Sequence, residues 1–277
     1  MKVYSLLALV VLLLILVPRA TASEPIHYAC NELPEVEDAP CNPALLTDLP
    51  PHGSTSISNP AVGQYIVGTA DDPLAGFSRR PLDHFIIPDG GTFLAPTRDE
   101  PHFGVDYSDP DTYLDSKPVY VHPIGPGYVT TRASCPMCFV DGDGRGRVEW
   151  KRPPYNFGFG DLVLIETPYS PSLSIYILYA HLNRDFVSLG DYVTPDEIIG
   201  VTGNTGYTEN NHVHMEVRFG PPGRFWNADF TQWATLDRWQ ATMFADPARL
   251  VFPENHLGFI AFMEEWLVQQ PQKDRIP

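Results

Sequence analysis

The sequence predicts a mainly β protein of antiparallel sheets, finished by one C-terminal helix. Two observations carry this expectation. Between Leu82 and Phe219, short apolar runs recur between Gly, Pro and Asp, with few long helical patterns among them, as in strands joined by tight turns. Near the C-terminus, Leu257, Ile260, Met263 and Leu267, with Phe259, Phe262 and Trp266, form a broad apolar stripe at helical spacing.

Taken in order, residues 1–22 read as a secretory signal: Lys2, an apolar run from Leu6 to Val17, then the small-x-small pattern Ala20-Thr21-Ala22. The run is short for a membrane span, and no later stretch reaches the 18 or so apolar residues that a span needs. The mature chain is therefore expected to be exported, extracellular or periplasmic, with no membrane span. Losing Lys2 and Arg19 with no acid takes the formal charge from −16 to −18. That balance argues against nucleic acid and anionic membrane surfaces as partners, since phosphate binding needs clustered Lys and Arg.

Residues 23–80 are rich in Pro, Asn, Ser and Asp and lack periodicity, so an irregular extension is expected. A sharper alternative is a latency segment that covers an active groove, with His27 or Asn31 inside it. Four cysteines in an exported chain point to disulfides, with Cys30–Cys41 and Cys135–Cys138 the expected pairs. Spacing alone allows three pairings, and a redox pair or second zinc site at Cys135-Pro136-Met137-Cys138 is the functional alternative.

From residue 81 to 252 the chain reads as the main β domain, followed by a helix and tail over 253–277. Strands are expected at 119–122, 127–132, 162–167, 173–181, 198–202 and 212–219. Pro168-Tyr169-Ser170-Pro171-Ser172 turns one hairpin and Ile124-Gly125-Pro126-Gly127 bends another. Asp246-Pro247 reads as an N-cap with proline at the first helical position, starting a short turn, and a helix is expected over 255–269. That helix packs on the domain or serves as a dimer contact; the oligomeric state stays open.

Two stretches imitate other sites. Asp141-Gly142-Asp143-Gly144-Arg145 begins like a calcium loop, but Arg145 and Arg152 stand where oxygen donors are needed, so a hairpin turn is expected. Gly200-Val201-Thr202-Gly203-Asn204-Thr205-Gly206 looks like a phosphate cradle, yet no Gly-Lys-Ser/Thr follows and the next element is a strand.

The chemistry gathers at three places. In Asn211-His212-Val213-His214-Met215-Glu216-Val217-Arg218-Phe219, polar and apolar residues alternate, so His212, His214 and Glu216 share one strand face. One imidazole can grip a metal while the other lies beside its open position; the plain reading is a half-buried strand that happens to carry histidine. In Pro101-His102-Phe103-Gly104-Val105-Asp106, an extended chain would hold His102 and Asp106 about 13 Å apart, so the segment must bend, and Gly104 allows it. With His214 these give two imidazoles and a carboxylate, a donor set suited to an open catalytic zinc site. In Tyr179-Ala180-His181-Leu182, strand alternation puts His181 on the face of Leu173, Ile175, Ile177 and Tyr179. There it is either a satisfied core histidine or a catalytic imidazole at the end of a cleft.

Together the motifs His102-x-Gly104-x-Asp106, Tyr179-Ala180-His181-Leu182 and His212-x-His214-x-Glu216-Val217 resemble the lysostaphin-type (LytM-like) zinc metallopeptidases, which cleave peptidoglycan peptides. The connecting stretches Lys117-Pro118-Val119-Tyr120-Val121, Gly160-Asp161-Leu162-Val163, Gly190-Asp191-Tyr192-Val193 and 199–206 follow in matching order, so the likeness runs from about Leu82 to Phe219. It implies antiparallel sheets forming a groove, one Zn2+ per chain on His102, Asp106 and His214, and His181 and His212 flanking the reacting carbonyl. Which of the two acts as general base stays open, as does whether Glu216 orients a ligand or is a plain salt-bridge partner. The implied substrate is a peptide bond in peptidoglycan stems or cross-bridges. The alternatives are a catalytically silent module that binds wall peptides or regulates another hydrolase, and a zinc endopeptidase acting on glycine-rich extracellular protein. Departures lie in Glu209-Asn210-Asn211 before the histidine pair and Val193-Thr194-Pro195-Asp196-Glu197 at a turn where glycine is usual; these bear on substrate preference.

Overall fold

A computed structural model describes residues 72–77, 79–96, 101–110, 119–135, 138–140, 146–148, 158–208, 210–230 and 233–270. The expected signal segment, the expected Cys30–Cys41 pair, the proposed latency role of the segment with His27 and Asn31, and the expected turn at 141–145 all fall outside the described residues. Cys135 is disulfide-bonded, and the side chain of Cys138 lies outside the description.

Strands run in the order β1 (Val105–Tyr107), β2 (Tyr120–Val121), β3 (Gly127–Ala133), β4 (Cys138–Val140), β5 (Gly146–Val148), β6 (Asp161–Ser170), β7 (Leu173–Leu182), β8 (Arg184–Asp185), β9 (Tyr192–Val193), β10 (Gly200–Val201), β11 (Val213–Gly220) and β12 (Met243–Ala245). The main sheet has seven strands in the order β1-β11-β7-β6-β3-β9, with β12 also on β11. Every pairing in it is antiparallel. A three-stranded sheet β2-β10-β8 and the hairpin β4-β5 complete the β structure. The mainly β, antiparallel expectation holds.

The centre of the sheet is covered on both faces, which is why β6 and β7 read as nearly continuous apolar runs. On one face Val163, Ile165, Ile175, Ile177, Tyr179, Met215, Val217 and Phe219 form the larger core with Phe259 and Met263 of the helix His256–Gln269. Phe219 meets Phe259, Phe262 and Trp266 edge-on, at centroid distances of 5.8, 5.4 and 5.3 Å; full burial of a ring of this size contributes about 3 kcal/mol. On the other face Leu162, Leu164, Tyr176, Leu178 and Ala180 pack under Phe225, Phe230 and Trp239. Leu74 and Phe77 also enter the larger core.

Before the helix Ala248–Val251, Asp246 Oδ1 accepts the Ala248 N–H at 2.9 Å, so Asp246-Pro247 does open a helical turn. Beyond the expected strands and helices, the structure adds the short strands β1, β4, β5, β8, β9 and β12 and the helix Trp233–Gln240. None is long enough to show a clear period in the sequence.

The register of β7 decides which face His181 occupies. Val163 pairs with Tyr179 and Asp161 with Leu182, so β7 carries one extra residue there. His181 sits in this bulge with φ +60°. An extra residue shifts the alternation, and the His181 ring leaves the face of Tyr179 for the opposite one. The expectation that it shares the Leu173–Tyr179 face is therefore corrected.

Candidate metal centre

Strand register brings the predicted ligands together. Asp106 on β1 lies directly opposite His214 on β11, and opposed residues share a face. His102 arrives by the expected bend, since Gly104 ends the extended run just before β1. Its backbone is held by Ala95 and Leu94, through His102 N to Ala95 O at 3.0 Å and Leu94 N to His102 O at 2.7 Å. A Cβ at Gly104 would stand 2.6 Å from both His214 Cε1 and Met215 O, so glycine also makes room for the ring.

Three atoms converge. His214 Nδ1 lies 2.9 Å from Asp106 Oδ1, His102 Nε2 lies 3.0 Å from His214 Nδ1, and His102 Nε2 lies 3.2 Å from Asp106 Oδ1. Tetrahedral zinc with bonds of 2.0–2.1 Å spaces its ligands about 3.3 Å apart, so the triangle has nearly the required size. The outer partners settle its polarity. His102 Nδ1 donates to Thr92 O at 3.1 Å, and His214 Nε2 donates to Glu216 Oε1 at 3.3 Å. A carbonyl and a carboxylate only accept, so His102 Nε2 and His214 Nδ1 turn lone pairs toward the anionic Asp106 oxygen. Three acceptors at such range require a cation, and the donor set fits zinc.

The electrostatics agree. Burial opposes the charge of Asp106, yet the imidazoles of His212, His102 and His214 outweigh it and hold the carboxyl well below its usual range. Burial would lower His214, but its bonds to Asp106 and Glu216 raise it to about 9: without a metal, a proton takes the cation's place. Burial also opposes the charge of Glu216, and Arg218 with His214 brings it down to about 2.

His181 and His212 stand beside this triangle. Their ring centroids are 4.8 Å apart, and that of His181 is 5.8 Å from that of His214. His212 Nε2 lies 3.6 Å from Asp106 Oδ1. Both rings have Nδ1 bound to a backbone carbonyl, Thr205 O at 2.7 Å for His181 and Asn210 O at 2.8 Å for His212. Each therefore presents an unprotonated Nε2. Burial lowers both, helped at His181 by the neighbouring imidazoles and opposed at His212 by Asp106, so both are neutral bases near pH 7.

All five predicted residues thus meet in one place. Sequence reasoning missed the residues that orient them: Thr92 and Thr205 act through backbone carbonyls, which no side-chain pattern reveals. The stretch 200–206, whose first two residues are β10, meets the histidine pair directly: Gly203 bridges His212, and Asn211 Nδ2 donates to Thr202 Oγ1 at 3.1 Å. At the other departure, the Thr194 N–H and the Glu197 carboxylate close the turn at 2.6 Å.

Known proteins share parts of this chain. A curated relative from Buchnera aphidicola subsp. Baizongia pistaciae (strain Bp), described as an uncharacterized metalloprotease, is 35% identical over 21% of this chain and only 18% of its own length. Among solved structures, the catalytic domain of the prophage-encoded M23 protein EnpA from Enterococcus faecalis is 21% identical, covering 56% of this chain and 97% of that one, with a TM-score of 0.35. The catalytic domain of the antimicrobial peptidase lysostaphin from Staphylococcus simulans is 22% identical, covering 47% and 77%, with a TM-score of 0.33. Residues 142–224, which hold His181, His212 and His214, match the model of Peptidase family M23, the lysostaphin-type family that the motifs resemble.

Proposed function

We propose that this chain is an exported zinc endopeptidase that hydrolyses peptide bonds in peptidoglycan stems or cross-bridges. The observation that carries the reading is the set of three lone pairs on His102, Asp106 and His214, flanked by two neutral imidazoles with free Nε2 atoms. Bound there, zinc would polarise a carbonyl and make a water acidic near neutral pH. The chain's own residues do the rest. His102, Asp106 and His214 would hold the ion. One of His181 and His212 takes the water's proton at Nε2 and returns it to the departing amine, while the Nδ1–H bonds to Thr205 and Asn210 keep both rings aimed. Export rests on the signal-like segment 1–22, and the wall substrate on the family match; among the described residues no helix is long and apolar enough to cross a membrane. The Cys135 partner is taken to be Cys138.

The test joins metal content to release of peptidoglycan fragments. His214→Ala is expected to lose zinc and activity together. His181→Ala is expected to keep zinc near one equivalent per chain and lose release by about 10²–10⁴-fold. A native protein that takes up no zinc from a zinc-replete medium defeats the enzyme reading. Zinc uptake without release from any wall preparation defeats the substrate.

A further inference from the structure

Behind His214 lies a buried ionic cluster that zinc ligation by itself does not call for. Glu216 Oε1 faces His214 Nε2, while Glu216 Oε2 accepts from Arg218 Nε at 2.8 Å and from Trp239 Nε1 at 3.1 Å. Arg218 Nη1 donates to Trp239 O at 3.2 Å, and its guanidinium lies 4.8 Å from the centroid of the Trp239 ring. Phe103 and Phe244 face the same cation at 5.7 and 5.8 Å. Glu216 and Arg218 are each 4% exposed and Trp239 is 1% exposed. Packing does not explain such a group, because apolar residues of similar volume serve a core as well as a buried ion pair, or better.

We propose that Trp239 and Arg218 are positioning residues of the metal centre, acting through Glu216 to fix the His214 ring with Nδ1 toward the metal. The argument is geometric. A carboxylate free to rotate could leave His214 in either tautomer or flip its ring; with both oxygens engaged from fixed donors, only Nε2–H is accommodated. Orienting partners of this kind typically change metal affinity by about 10–100-fold. Trp239 belongs to the helix Trp233–Gln240, beyond the segment 142–224 that the family model matches. The helix packed over the site is thereby part of the site's machinery.

The proposal rests on the zinc reading, and its test separates the two. Trp239→Phe keeps a ring over Arg218 and removes only the indole N–H; Glu216→Gln removes the charge. Zinc affinity is measured by competition with a chromophoric chelator on the folded full chain, with thermal unfolding of the metal-free protein alongside. Trp239→Phe is expected to bind zinc about tenfold or more weakly, and Glu216→Gln more weakly still. A Trp239→Phe protein that loses less than that, whether or not its stability falls, overturns the proposal and leaves Trp239 a packing residue. Should Glu216→Gln fail to fold because Arg218 is left unpaired, Trp239→Phe decides alone. A wild-type chain that binds no zinc overturns the underlying reading instead.

Discussion

Gly104→Ala isolates what one methyl group does to this site. The added Cβ would lie 2.6 Å from His214 Cε1, 2.6 Å from Met215 O and 2.8 Å from His214 Nε2. Met215 is fixed between two strands, paired with Val105 on one side and Tyr179 on the other, so its carbonyl cannot retreat. The ring must give way by about 0.8 Å to reach ordinary contact near 3.4 Å, and the backbone at 104, just before the ligand strand, must shift away from the Met215 carbonyl as well. Catalytic constellations tolerate about 0.5 Å, and a displacement near 1 Å costs roughly 10²-fold in rate. The strain of inserting a methyl into a packed region adds about 1–3 kcal/mol of instability. Zinc titration, hydrolysis of a peptidoglycan substrate and thermal unfolding are compared with those of Gly258→Ala, whose Cβ meets nothing within 4 Å. The expected result is weaker zinc binding and about 10²-fold slower hydrolysis for Gly104→Ala only. Wild-type zinc affinity and rate in Gly104→Ala would refute the claim that the His214 ring cannot be displaced without loss at the site.

Two further outcomes follow from the electrostatics. Burial raises Asp161 from 3.8 to about 6; the Cys135 N–H works against this and Asp185 adds to it. A carboxyl raised on folding binds its extra proton in the folded state, so its contribution is fully present below about pH 4 and is lost as pH rises through about 6. The loss is at most about 3 kcal/mol, from some two pKa units at 1.36 kcal/mol each. Asp161→Asn keeps an oxygen for the Cys135 N–H and is expected to flatten the stability profile between pH 4 and 6 in denaturant titrations; an unchanged slope would contradict the assignment. Separately, removing zinc with a chelator is expected to lower the unfolding temperature, because a ligand at 100 times its Kd contributes about 2.7 kcal/mol. Zinc should restore it in the wild type but not in Asp106→Ala, as followed by calorimetry.

The β-rich class and the positions of the long strands are legible in the sequence because β6, β7 and β11 must fill a two-sided sheet, which leaves unbroken or alternating apolar runs between turn residues. The candidate metal cluster is legible because two imidazoles and a carboxylate suit zinc and the resemblance of the three motifs singles out His102, Asp106 and His214, whose donor atoms the fold brings together. Gly104 is legible as a bend, because two ligands on one short extended segment cannot otherwise reach one ion.

What the sequence does not hold is anything that depends on register or on backbone groups brought from afar. His181 follows the parity of Leu173 to Tyr179 in the sequence, and only the bulge opposite Asp161 to Val163, with φ +60° at His181, turns its ring toward His212. The tautomers rest on the carbonyls of Thr92, Thr205 and Asn210, and a carbonyl has no residue identity to read. Arg218, two residues beyond Glu216 on the same strand face, could have been placed beside it by alternation alone. Trp239 could not, for its indole reaches Glu216 across 23 residues and only the packed helix sets that contact. Local patterning thus determined which residues could carry the chemistry, and the tertiary structure decided which way each ring faces, because orientation is fixed by partners distant in the chain.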